Sequence, residues 1–123
     1  MSAFRAAVLE HFRHPRNRGE LVTANARADG ANPLCGDRVR IELMIGDGRI
    51  QDARFTADAC AVCIASASVA TEWARGRALA DMSVLECSIV HETLGGAPAP
   101  GRERCVSLPI DTLRRAAAAH PTS

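Results

Sequence analysis

The chain is 123 residues long, which suits one compact domain over residues 1–123 and leaves little room for a second. Fifteen arginines and no lysine stand against 14 acidic residues for a net charge of +1, and no basic run is long enough to form a nucleic-acid footprint. No stretch approaches the roughly 18 apolar residues of a membrane helix, and the N-terminus lacks the apolar core of a secretory signal, so the expected location is the cytoplasm.

Apolar residues make up 47% of the chain, but 23 of them are alanines, so the core is expected to be thin. Aromatic content is 3%, supplied by Phe4, Phe12, Phe55 and Trp73, and large buried rings cannot carry the stability. A bound metal or a partner would make up the difference. Five cysteines form an odd set in a chain without an export signal, which favours reduced thiols over a disulfide framework.

Phe4, Ala7, Val8, His11 and Phe12 share one face of a helix that ends before Pro15. Asn17 to Pro33 shows weak periodicity, and Leu21 and Val22 are read as a short strand or an extended arm. Val39, Ile41, Leu43 and Ile45 alternate with Arg38, Arg40, Glu42 and Met44, the period of a strand with one buried face. Gly46-Asp47-Gly48 supplies a tight turn. Ala53, Phe55 and Ala57 resume the alternation beyond it, with Ile50 out of phase as at a bulge. Ile64 through Trp73 predicts a helix of about three turns ending at Gly76. Leu79, Met82, Leu85, Glu86 and Ile89 predict a second helix running out at Gly95-Gly96. Gly95 to Gly101, with Pro98 and Pro100, is a loop. Because proline belongs in a first helical turn, Pro109 predicts a last helix starting near Val106 to Leu108, with Cys105 just before it. The order is α+β: a small antiparallel sheet, about three strands, packed with helices.

Cys35-Gly36-Asp37 precedes the clearest strand, and its glycine lets the backbone bend so that thiol and carboxylate converge. Cys60 lies between a strand and a helix, and Cys105 at a helix start, where unpaired N–H groups favour thiolate. Cys35, Asp37, Cys60 and Cys105 together make a tetrahedral set for zinc, with Zn–S distances of roughly 2.3 Å. The same set suits an iron-sulfur cluster, in which the carboxylate is the weaker and more labile ligand, as a site that gives up its cluster requires. Cys87 is read as a small buried hydrophobe. Cys60-Ala61-Val62-Cys63 is a C-x-x-C at a strand-to-helix junction, a context shared with thioredoxin-like redox motifs. His11 is read as a packing histidine, and His14, His91 and His120 as exposed. Asp37 has an alternative role as a turn residue bonding its own backbone.

His11 followed by Pro15-Arg16-Asn17-Arg18-Gly19, then Asn32-Pro33-Leu34-Cys35-Gly36-Asp37, Asp52-Ala53-Arg54-Phe55 and Cys60, is a series of motifs in a fixed order. Ala65-Ser66-Ala67-Ser68, Thr71-Glu72-Trp73-Ala74-Arg75-Gly76 and Cys105-Val106-Ser107-Leu108 continue it. Over Phe4 to about Ala119 the chain resembles the IscU and SufU type of iron-sulfur scaffold, related to the N-terminal domain of NifU. The resemblance implies a small α+β fold with three cysteines and one aspartate clustered at one end. It implies sulfur received from a cysteine desulfurase and a 2Fe-2S cluster built there, with Cys35, Asp37, Cys60 and Cys105 at the matching positions. Arg104 stands where IscU-type chains carry a histidine, a residue the SufU branch also lacks. Arg102 falls where a lysine or arginine lies close to the site. The Leu-Pro-Pro-Val-Lys segment that engages a dedicated Hsp70 chaperone is replaced by Ala97-Pro98-Ala99-Pro100-Gly101-Arg102, which argues against dependence on such a chaperone. The Cys60 to Cys105 interval is short and IscU-like.

Three functions are expected to compete. The first is a scaffold, not an enzyme, that takes sulfur from a cysteine desulfurase and iron from a donor, and passes a transient 2Fe-2S cluster to acceptor apo-proteins. The second is a zinc-binding, SufU-like sulfur acceptor that stimulates the desulfurase, with zinc at the same four residues. The third is a dithiol oxidoreductase using Cys60 and Cys63.

Overall fold

The computed structural model describes residues 2–120, and the statements below concern those residues. Ser2 caps the first helix, α1 (Ala3–Arg13), by accepting from the Arg5 N–H at 3.1 Å. Strands β1 (Ala26–Asn32), β2 (Asp37–Gly46) and β3 (Arg49–Asp58) follow as an antiparallel meander in the order β1-β2-β3. The β2–β3 turn puts Asp47 at φ 56° and Gly48 at φ 73°, the pair of positive angles of a two-residue hairpin whose twist matches its strands. Met44 pairs with Asp52 but Ile45 with Ile50, so Gln51 is the extra residue of a bulge. That bulge is why Ile50 breaks the alternation and still has no exposed surface.

One face of the sheet is covered by α2 (Ala61–Ala74) and α4 (Glu103–Ala118), with α3 (Cys87–Leu94) alongside. Helix α2 is buried over most of its circumference because its residues are small, and α1, α4 and β3 pack around it. Its buried hydroxyls are satisfied: Ser66 donates to the Val106 carbonyl at 2.7 Å, and Thr71 to the Ala67 carbonyl at 2.8 Å. Helix α4 lies directly on β1 at Gly30. A side chain there would collide with Thr112 Oγ1 and come within 3.0 Å of Leu108 Cδ1.

One open sequence expectation is resolved and two are corrected. Of the two roles read for Leu21 and Val22, short strand or extended arm, they take the second. Residues 17–19 pair with Phe55 along the free edge of β3, and the chain then crosses the other sheet face as an extended arm. Leu21 N–H donates to the Glu42 carboxylate on the way, at 3.2 Å. The predicted helix from Leu79 is two pieces, a 3-10 helix (Leu79–Val84) and α3, separated by extended Leu85 and Glu86. The 3-10 turn of three residues keeps Leu79 and Met82 in register, so the apolar spacing passes through the break. Helix α4 begins at Glu103, earlier than predicted, and contains Pro109 in its interior. Pro109 has no N–H to offer the Cys105 carbonyl four residues back, a loss that the buried helix absorbs.

Gly30→Ala is expected to push α4 off the sheet and lower the stability by about 1–3 kcal/mol. Denaturant midpoints check it, and metal affinity should fall in parallel because α4 carries Cys105.

Candidate metal centre

The candidate ligands come from three elements. Asp37 opens β2, Cys60 is the N-cap residue of α2, and Cys105 lies in the first turn of α4. Their ligand atoms all lie within 4.8 Å of one another. The Asp37 carboxylate, 4% exposed, is held at both oxygens. Oδ1 accepts from the Cys60 backbone N–H at 3.1 Å, and Oδ2 faces the Cys105 thiol at 3.7 Å. This is a bond across elements, not the local turn bond that is the alternative role for an aspartate after glycine.

Cys35, the fourth predicted residue, is not drawn into that cluster. It is exposed in the loop 33–36, which joins β1 to β2 two residues before Asp37. The buried Asn32 shapes this loop, its carbonyl accepting from the Cys35 and Gly36 N–H groups at 3.2 and 2.8 Å. Its side-chain oxygen accepts from Leu34 N–H at 3.3 Å. Gly36 sits at φ 75°, where a side chain would strain the turn. Asn32 opens one of the motifs that carry the resemblance, and its role in turning this loop has a local signal, an asparagine entering a short loop.

Charge around the centre is uneven. Burial, then the hydrogen bond and charge of Cys60 and the charge of Asp37, push the Cys105 thiol up, while Arg102 opposes them. The helix start therefore does not make Cys105 a thiolate by itself, contrary to the sequence expectation: with 2% of its surface exposed, the thiol keeps its proton. The Arg102 guanidinium lies beside the thiols, and its interaction with Cys105 first and then Cys60 raises its own pKa. This is the cation the sequence placed near the site. Burial also pushes Cys63 up, helped by the charges of Asp37, Cys60 and Cys105.

Other sequence readings find their places. Arg104 lies on the exposed side of α4, its Nη1 2.9 Å from Asp111 Oδ2. The His11 Nδ1 lies 2.7 Å from Ser68 Oγ, which itself accepts from Arg16 N–H at 2.8 Å. Ser68 thus ties the helix face of His11 to the backbone of the segment after Pro15. Burial and then Arg16 lower the His11 pKa. Cys87 is half-buried at the start of α3, less enclosed than expected.

The donor set fits a soft or borderline metal. A tetrahedral zinc with a thiolate and a carboxylate among its ligands separates their sulfur and oxygen by roughly 3.5 Å. Cys105 Sγ and Asp37 Oδ2 are 3.7 Å apart, close to that separation. A metal held by Asp37, Cys60 and Cys105 would act as a Lewis acid that keeps the thiols ionised.

An α+β fold with a thiol and carboxylate cluster where β2, α2 and α4 meet defines a small domain whose clustered donors could hold a soft metal. Residues 3–123 match the NifU-like N terminal domain family, and the chain belongs to that family. It is 38% identical over 109 residues to the iron-sulfur cluster assembly scaffold protein IscU 1 of Archaeoglobus fulgidus, an alignment covering 89% of this chain and 71% of the relative. It is 39% identical to the bifunctional protein NifU/MnmA of Rubrobacter xylanophilus over 89% of its own length, but spans only 22% of that protein. The zinc-dependent sulfurtransferase SufU of Bacillus subtilis is 32% identical over 60% of this chain and 50% of its own. Among solved structures, an iron-sulfur cluster assembly scaffold protein for the SUF system from Fervidobacterium islandicum superposes with a TM-score of 0.75. At 21% identity over 90% of this chain and 93% of the other, it bears on the fold alone. No helix among the described residues is long and apolar enough to cross a membrane.

Metal binding has to displace the protons that the raised Cys105 pKa retains, so affinity rises with pH across the neutral range. Zinc competition against a chromophoric chelator at pH 6.5 and 7.5 should show about tenfold tighter binding at the higher pH for each thiol proton displaced.

Proposed function

We propose that this chain is a cytoplasmic scaffold on which an iron-sulfur cluster is assembled, with residues 1–123 acting as one domain. Sulfur from a cysteine desulfurase and iron from a donor meet at Cys35, Asp37, Cys60 and Cys105, and the product leaves for acceptor apo-proteins. The observation that carries this reading is the convergence of Asp37, Cys60 and Cys105 within 4.8 Å beside a loop bearing a fourth, exposed thiol. Thiolates are the usual cluster ligands, and a carboxylate among them is the bond that gives way first. A set of this kind suits cargo more than a resident cofactor. Arg102 adds a positive charge at the thiols, favouring their ionised forms. The reading calls on no dedicated Hsp70, because residues 97–102 lack the segment such a chaperone engages.

The Bacillus relative, a zinc-dependent sulfurtransferase by name, supports a second reading. The same residues then hold zinc and accept sulfur while stimulating a desulfurase. Zinc at about one per chain, with desulfurase turnover raised and no chromophore formed, selects it.

Anaerobic incubation with iron, cysteine and a desulfurase is expected to give a chromophore in the wild type. Cys35→Ala, Cys60→Ala and Cys105→Ala should each abolish it. Asp37→Cys should keep it and slow its transfer to an apo-ferredoxin by about tenfold, since a thiolate replaces the labile ligand. A wild type that stays colourless overturns the scaffold reading.

A further inference from the structure

Sulfur carried as a persulfide is at the oxidation level of the element, whereas the bridging sulfur of a cluster is sulfide. Every sulfur atom that enters by this route needs two electrons. Cys63, which the metal centre does not use, stands where it can supply them.

Cys60 is the N-cap of α2, with extended angles of φ −67° and ψ 165° and no side-chain capping bond. Cys63 is the third helical residue. The Ile64 N–H donates to the Cys60 carbonyl at 3.0 Å, so Cys60 and Cys63 share the first turn of the helix at i and i+3, the spacing at which side chains are neighbours. The two thiols differ sharply in access. Cys60 is half-exposed and lines a groove of about 770 Å³ between α1, the start of α2 and the loop before α4, walled by Phe4, Val8, Val62 and Pro98. Cys63 has 0% of its surface exposed. A sulfur carrier in the groove reaches Cys60 and not Cys63, so the inner thiol is reserved for reaction with its neighbour.

We propose that Cys60 and Cys63 form a dithiol that reduces incoming persulfide to sulfide within the chain. The step rests on the sulfur-acceptor reading above. The Cys63 thiol passes its proton to the anionic terminal sulfur of the Cys60 persulfide as its own sulfur attacks Cys60 Sγ, the inner sulfur. The persulfide S–S bond breaks, and the terminal sulfur leaves with the bonding pair and a proton as hydrosulfide. Cys60 and Cys63 remain joined as a disulfide, having lost the two electrons that the sulfur gained. Hydrosulfide, a weaker base than an ordinary thiolate, is the better leaving group. A dithiol reductant then reopens the pair, which returns Cys60 to the metal centre.

The test mixes the reduced chain anaerobically with a desulfurase preloaded with persulfide and freed of cysteine, with no iron and no reductant. The wild type should release about one sulfide for each sulfur transferred, and peptide mapping should find a Cys60–Cys63 disulfide. Cys63→Ala, verified as folded by its thermal transition, should retain the added sulfur atom by intact mass and release at least about tenfold less sulfide. Unchanged release in that variant, a Cys60–Cys105 disulfide in the wild type, or sulfur retained as a persulfide by the wild type each overturns this step alone. Failure of wild type and variant alike to gain any sulfur overturns the sulfur-acceptor reading together with it.

Discussion

The carboxylate of Asp37 is the joint on which the functional end of the molecule depends. Burying a carboxylate is costly unless its oxygens are partnered. Here one oxygen takes the N–H of Cys60, the N-cap residue of α2, and the other takes the thiol at the start of α4. A single side chain thus fixes a strand and two helix starts against one another. A thiol is a weak donor, so the second oxygen is only lightly satisfied, and a cation is the group that would complete it. The anchoring role and the affinity for metal are the same property of one buried charge.

The rest of the fold brings those three points together with small side chains. Ala65, Ala67, Ala70 and Ala74 of α2 have no exposed surface, and Gly30 lets α4 rest on β1. The composition suggested a thin core. What the alanines provide is close approach of helix and sheet backbones, while Phe55, Ile41, Leu43, Ile50 and Leu113 fill the interior between them. Close backbones leave little slack, which suits a site whose donors must hold their separation.

How much of this was legible in the sequence follows from the range of the interactions. The β2–β3 hairpin, its turn and its bulge were readable because alternation and turn chemistry are local. Strand β1 was not, since Ala26–Asn32 contains no β-branched or aromatic residue and is extended because β2 pairs with it. The early start of α4 was hidden by Pro109, whose rule describes isolated helices better than a buried one. At the site, spacing alone could not join Asp37, Cys60 and Cys105, which approach only through tertiary packing. Their selection came from the resemblance, and the structure brings together those three. The loop carrying Cys35 projects outward, with Leu34 beside it 95% exposed, and nothing in the residues themselves foretold that separation.

That projecting loop bears on how cargo changes hands. A donor tethered two residues from a fixed ligand behaves as though present at a very high local concentration. On the reading proposed above, the weak Asp37 bond opens first, and Cys35 on its projecting loop can move with the cargo while Cys60 and Cys105 stay in place. A receiving protein can therefore substitute its own thiol at that one vacated position before the remaining bonds are given up. Exchange by stepwise replacement keeps the cargo ligated throughout and never sets it free in water.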